Sequence, residues 1–221
     1  MGEPQRIDWQ ERVEALRPKM AERDASFEQR QNDRIGTGGV ADELANATER
    51  RWEIAIPARY RHARLDDLSG DLSEAQTWDG TSNVLLLGNV GTGKTHAAVA
   101  LSRMVHEAGG SLMFRSALAL VDDLKPGGDE RAMDRALSVN LLLLDDLGYE
   151  RHTDFAADRV SRVITDRYDA CRPTIVTSNL SPEALEGEVG PRIWSRLFHG
   201  ALRLKVAGTD RRLGEDQRGY A

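Results

Sequence analysis

Between residues 84 and 177, short apolar runs alternate with stretches whose apolar positions recur at helical spacing. Val84 to Leu87 and Leu141 to Leu144 are apolar at every position. Such runs suit strands covered on both faces. Ser111 to Phe114 and Thr174 to Thr177 are two further predicted strands, and helices are predicted over Thr95 to Ala108, Ala117 to Leu124, Glu130 to Leu137 and Phe155 to Ala170. Lys125-Pro126-Gly127-Gly128-Asp129 is a loop by composition. Strands alternating with helices predict βαβ crossovers, and hence an α/β fold with a parallel sheet flanked by helices.

Upstream the pattern changes. Trp9, Val13, Leu16, Met20 and Phe27 fall on one helical stripe. Pro18 lies inside it and removes a backbone donor, which predicts a kink or two short helices. Ile35-Gly36-Thr37-Gly38-Gly39 is a break, and a second helix is predicted from Val40 to Ala55. The stripe has two uses open to it, packing on its own domain or docking a partner. The chain is accordingly divided into a helical segment over 1–55, a connector over 56–80 and the main domain over 81–221.

Composition narrows the chemistry. The single Cys171 excludes a disulfide framework within the chain and a zinc site built on several thiolates, and the five histidines (His62, His96, His106, His152, His199) are scattered. A net charge of −6 gives no global attraction to nucleic acid, although arginines gather near the C-terminus. Trp, Tyr and Phe number four each and do not cluster with cations along the sequence, so no stacking platform for single strands is visible. No run of 18 apolar residues and no basic-then-apolar leader occurs. The expectation is a cytoplasmic protein with no membrane partner.

The chemistry concentrates after the first predicted strand. Gly88-Asn89-Val90-Gly91-Thr92-Gly93-Lys94-Thr95 has the Gly-x4-Gly-Lys-Thr form of a phosphate-binding P-loop, placed between a strand and a helix. Glycines let backbone N–H groups curl round phosphates, and the helix N-terminus adds its partial positive charge. Lys94 is expected to neutralise the β- and γ-phosphates of ATP and the Thr95 hydroxyl to hold Mg2+; His96 follows directly.

Two further strand ends carry polar groups. Leu141 to Leu144 runs into Asp145-Asp146, which a parallel sheet delivers to its carboxyl edge, where ligands bind. Paired with the loop, Asp145 is read as a second magnesium-binding residue and Asp146 as the group that orients or deprotonates the attacking water. Glu150 is the alternative base. The strand Thr174 to Thr177 leads into Ser178-Asn179, where Asn179 is placed to bond the γ-phosphate or the water.

Gly-Thr-Gly-Lys-Thr-His, Leu-Leu-Asp-Asp-Leu-Gly, Asp166-Arg167-Tyr168, Pro173 to Leu180 and Arg192-Ile193-Trp194-Ser195-Arg196-Leu197 together resemble the DnaC/IstB group of AAA+ ATPases, in order and spacing over about residues 56 to 213. The resemblance implies an ATPase that works as an oligomer of itself. Asn179 would be its sensor 1, Arg192 or Arg196 its arginine finger, and Arg212 a sensor 2-like residue. It further implies a helicase loader that binds a DnaB-type replicative helicase and single-stranded DNA, with hydrolysis timing release. The alternatives are an IstB-like transposition helper on duplex DNA and a weakly hydrolysing ATP-binding switch. Some loaders carry a larger, zinc-binding N-terminal domain, whereas here no cysteine precedes Ile56.

Overall fold

The computed structural model describes residues 9–23, 40–68, 70–148, 153–208 and 210. Five strands, β1 (Val84–Leu87), β2 (Leu112–Ser116), β3 (Leu141–Asp145), β4 (Thr174–Ser178) and β5 (Leu202–Lys205), form a wholly parallel sheet. Their order is β2-β3-β4-β1-β5. The described α-helices are α1 (Trp9–Arg23), α2 (Val40–Ala55), α3 (Lys94–Glu107), α4 (Ala117–Asp123), α5 (Ala132–Ser138), α6 (Asp154–Asp169), α7 (Pro182–Val189) and α8 (Pro191–Phe198).

Alternation along the buried strands sets the layers. Val84, Leu86, Leu141, Leu143 and Ile175 turn to one face, where they meet Ala98, Leu101 and Met104 of α3. Leu85, Leu87, Leu142, Leu144 and Val176 turn to the other, against Leu120 of α4 and Val160, Val163 and Ile164 of α6. Each fully buried leucine contributes roughly 1.5–3 kcal/mol, so both faces must be covered, as continuous apolar runs require.

The four predicted strands and the helices between them stand where the pattern placed them, to within a residue or two. β5 was not foreseen. It reads Leu-Arg-Leu-Lys on a sheet edge, with Leu204 buried and Arg203 and Lys205 exposed, so it lacks a continuous apolar run. Charged residues of this kind blunt an edge against pairing with other chains. α7 and α8 were also missed, each being only eight residues long.

At the other end of the chain, α1 continues through Pro18 as one helix, so of the two forms expected, a kink or two short helices, the second is excluded. Val13, Leu16 and Met20 are buried in the same core as α3, so the described part of the stripe packs on its own domain. Arg12 fixes it further by donating to the carbonyls of Gln76 and Trp78. Phe27 and the break over 35–39 lie outside the described residues. Residues 56–80 form three 3-10 turns (Ala58–Tyr60, Leu65–Asp67, Gly70–Thr77) and bury Ile56, Ala63, Leu72 and Trp78.

Two arrangements at the amino edge of the sheet were invisible in the sequence. Arg167, 1% exposed near the end of α6, donates to the carbonyls of Ala136 (2.7 Å), Val139 (3.0 Å) and Pro173 (2.6 Å) and to the Thr174 hydroxyl (3.1 Å). Folding also gathers aromatics and cations that are scattered along the chain. Trp194 packs on Phe198, Arg203 lies 4.2 Å over the Phe198 ring, Arg196 lies 5.7 Å over Tyr168, and the Tyr168 hydroxyl meets His199 Nδ1 at 3.2 Å. No described helix is long and apolar enough to cross a membrane.

Candidate functional site

β4 lies between β1 and β3 in the sheet, so the carboxyl ends of these three strands form one continuous ledge. β1 ends into the loop Gly88 to Gly93, which leads straight into α3 at Lys94. Glycine is required at the first position for a spatial reason: a Cβ on Gly88 would lie 2.1 Å from the carbonyl oxygen of Val206. At Gly93 the reason is conformational, since its φ of 99° makes the turn that aims the first N–H groups of α3 into the loop.

Lys94 is 5% exposed, and its ammonium donates to the carbonyls of Gly88 (2.8 Å) and Asn89 (2.6 Å) and to Asn179 Oδ1 (2.6 Å). Asn179, just past β4, also donates through Nδ2 to Asp146 Oδ1 at 3.2 Å. The loop lysine, the residue after β4 and the second carboxylate after β3 are thus joined in one chain of contacts. Asp146 is exposed and held at φ 55°, a left-handed conformation in which its N–H donates to the Thr177 hydroxyl at 3.0 Å. A non-glycine residue in that region stores strain, and the surrounding hydrogen bonds hold it there.

Asp145 is 8% exposed at the end of β3. Its Oδ1 accepts hydrogen bonds from Thr95 Oγ1 (2.9 Å) and Thr177 Oγ1 (2.6 Å). Burial, the largest influence, together with the neighbouring Asp146 raises its pKa, against the lowering effect of the two hydroxyls and Lys94. A buried carboxylate beside a threonine hydroxyl is the donor set a hard divalent cation takes up, so both residues fit the magnesium role expected of them. Thr177 is the member of this group that the sequence reading missed. Thr177 and Ser178, both fully buried, follow Ile175 and Val176 at the end of β4, and two consecutive hydroxyls at a carboxyl edge were the available signal.

A cavity of about 620 Å³ opens over this ledge. Beyond Val90, Gly91, Gly93, Lys94, Thr95, His96, Asp145, Asp146 and Asn179 it is lined by Arg59, Tyr60, His62 and Asp67, which no sequence motif announced. The His62 and His96 rings lie 5.6 Å apart, and His96 Nε2 is 3.5 Å from Asp67 Oδ2. The volume suits a nucleotide-sized ligand, and the lining holds both phosphate-loop donors and the rings of Tyr60, His62 and His96. Asp210 also reaches the loop: its carboxylate stands within 1.9 Å of where a Gly91 Cβ would project.

The arginines are placed elsewhere. Neither Arg192 nor Arg196 lines the cavity. The carbonyl of Arg196 accepts from Asn83 Nδ2 at 3.1 Å, and Asn83 precedes β1, so this end of α8 sits at the sheet edge opposite the phosphate loop. Arg196 also donates to the Arg192 carbonyl at 3.2 Å. Arg192 itself is exposed in the first turn of α8. Arg212 and Glu150 lie outside the described residues.

Known proteins are similar to this chain. An insertion-sequence ATP-binding protein of Mycobacterium tuberculosis is 34% identical over 143 residues, covering 62% of this chain and 55% of that protein. The ATP-binding protein of an insertion sequence of Geobacillus stearothermophilus is 30% identical over 146 residues, covering 62% and 58%. The chain thus spans little more than half the length of these curated relatives. Among solved structures, the DnaC helicase loader matches with a TM-score of 0.61 and 26% identity, over 68% of this chain and all of that one. The five-stranded parallel sheet flanked by helices is the P-loop AAA+ fold of DnaC-like proteins. The profile described as IstB-like ATP binding protein matches residues 63–218, from before the first strand to beyond the last, and on that span the chain belongs to the IstB-like ATP binding protein family.

Proposed function

We propose that this chain is an ATP-hydrolysing switch that assembles with copies of itself on DNA and serves a transposase, as the helper of an insertion sequence. The observation that carries the ATPase part is the unbroken contact chain from Lys94 through Asn179 to Asp146, beside the Thr95–Asp145 pair. Lys94 and the loop N–H groups would bind the β- and γ-phosphates, and Thr95 and Asp145 would hold Mg2+, which supplies charge neutralisation on the phosphates when bound. Asn179 would orient the attacking water, and Asp146 would take its proton on a carboxylate oxygen. Arg192 is preferred to Arg196 as the finger reaching a neighbouring subunit, because it is exposed while Arg196 is bonded to its own helix and packed on Tyr168. Arg212 keeps its proposed sensor 2-like role.

The transposition role is supported by the family and by the two insertion-sequence relatives. A second reading, a loader that docks a DnaB-type helicase on segment 1–55 and binds single-stranded DNA, is supported by the likeness to the DnaC helicase loader. Sedimentation with ATP and Mg2+ on duplex DNA, on single-stranded DNA and with a replicative helicase separates them. ATP-dependent assemblies on duplex DNA are expected. Assembly confined to single strands, with retention of the helicase, overturns the transposition role in favour of the loader. Turnover no greater than that of Lys94→Ala overturns hydrolysis and leaves a binding switch.

A further inference from the structure

We propose that the free edge of β2 is a docking groove for an extended acidic peptide of a partner protein, added to the sheet as a sixth strand. Among the described residues β2 is the terminal strand on its side of the sheet, and its ladder runs to β3 alone. The Leu141 N–H donates to the Ser111 carbonyl, so the polar backbone groups of odd-numbered residues face β3 and those of Leu112 and Phe114 face outward. Arg115 Nη1 already donates to the Phe114 carbonyl at 2.9 Å. That leaves the Leu112 N–H and C=O and the Phe114 N–H directed at a cavity of about 730 Å³ that runs along the strand.

The two walls of this cavity differ. On one side α2 contributes Ile54, an isoleucine 86% exposed, next to the half-buried Leu112 and Phe114. On the other side stand Arg115 and Arg135. Arg51 adds a third guanidinium, and the described lining contains no carboxylate. Arg115 pairs with Asp123 through Nε and Arg135 with Asp129 through Nη2, and neither aspartate lines the cavity. A strand added here would alternate its side chains between the walls. The fitting sequence therefore places branched apolar residues toward Ile54 and carboxylates toward Arg115 and Arg135, a form of β-augmentation.

The groove is preformed, because α2 is clamped. Trp52 is fully buried, with Arg103 stacked 4.2 Å from its ring centre, and His106 Nε2 meets the Thr48 carbonyl at 3.1 Å. A preformed groove demands little ordering from the protein when a peptide binds. The proposal does not depend on what the nucleotide site does.

The probe is a fluorescent Glu-Val alternating peptide of about seven residues, the length of an ordinary strand, added to the full chain. Binding is expected by anisotropy, with slowed amide exchange at Leu112 and Phe114. Ile54→Asp and Arg135→Glu, both outside the nucleotide site, are each expected to weaken it roughly tenfold or more while ATP affinity stays unchanged. A Lys-Val peptide should not bind. Unchanged exchange at Leu112 and Phe114, or native affinity in either variant, overturns the proposal. So does displacement of the peptide by oligothymidylate that itself slows those amides, which would make the groove a nucleic-acid site.

Discussion

At Asp145 a nearly buried carboxylate accepts two hydroxyl hydrogen bonds and still titrates above the ordinary carboxylate value of 3.8, because burial outweighs what Thr177, Thr95 and Lys94 return. A folded pKa above the unfolded one means that the folded chain holds this proton more tightly. The associated stability is fully present below the unfolded value and is lost as pH rises through the folded one, so at neutral pH the ionised group is a cost carried for function. Asp145→Asn keeps an acceptor for both hydroxyls and removes the charge. The nucleotide-free variant should be more stable at neutral pH by on the order of 1 kcal/mol, about 2–4 °C in Tm for a chain of this size. That margin should shrink as the pH falls into the carboxylate range. Mg2+ with ATP, which should raise the Tm of the native chain, should leave the variant almost unmoved. Paired melts across pH, with and without nucleotide, check this, and a variant that melts below the native chain at neutral pH without nucleotide refutes it. At this scale the sequence was readable wherever a spacing rule exists, as from Gly88 to Thr95. Thr177 escaped because its role comes from β4 lying beside β3, a neighbourhood created by folding.

Arg167 joins three elements at the amino edge of the sheet: the last turn of α6, the carbonyls closing α5, and the entry to β4. It thereby helps fix how far β4 advances toward the phosphate ledge, where Thr177 and Asn179 act. Arg167→Ala would leave buried carbonyls without donors, at a cost of roughly 3–5 kcal/mol. Arg167→Lys, keeping the charge but not the planar fork, should still lose about 2 kcal/mol. Urea denaturation measures both, and a loss below about 0.5 kcal/mol in the alanine variant would show that the fork is dispensable. Arg167 was legible as part of a motif, but its partners were not, since they come from α5 and from the start of β4. Among the elements, the central strands announced themselves because both their faces are buried. β5 did not, because an edge strand with one covered face alternates Leu with Arg and Lys. α1 stays unbroken at Pro18, where burial of Leu16 and Met20 against the core outweighs one missing backbone hydrogen bond.

For the whole molecule, the placement of the arginines poses the decisive question. Lys94, Asp145, Asp146 and Asn179 converge within one chain, while Arg192 and Arg196 stand on α8, away from that cavity. If the proposed finger acts between subunits, a site is complete only when a second copy presents Arg192, and activity depends on concentration as well as on sequence. Arg192→Ala should then lower kcat by about a thousandfold or more, the usual scale for an arginine finger, without weakening ATP binding. Lys94→Ala should abolish binding in its own site while leaving Arg192 available to a neighbour. Mixed in equal amounts, the two inactive variants should recover about a quarter of native activity, since half of the sites keep Lys94 and half of their neighbours keep Arg192 in a head-to-tail assembly. Arg196→Ala should disturb the packing on Tyr168 and lower stability, with no rescue on mixing. Should rescue occur with Arg196→Ala and fail with Arg192→Ala, the roles of the two arginines are exchanged. Should it fail with both, each subunit hydrolyses ATP alone, and the assembly serves DNA or partner binding only.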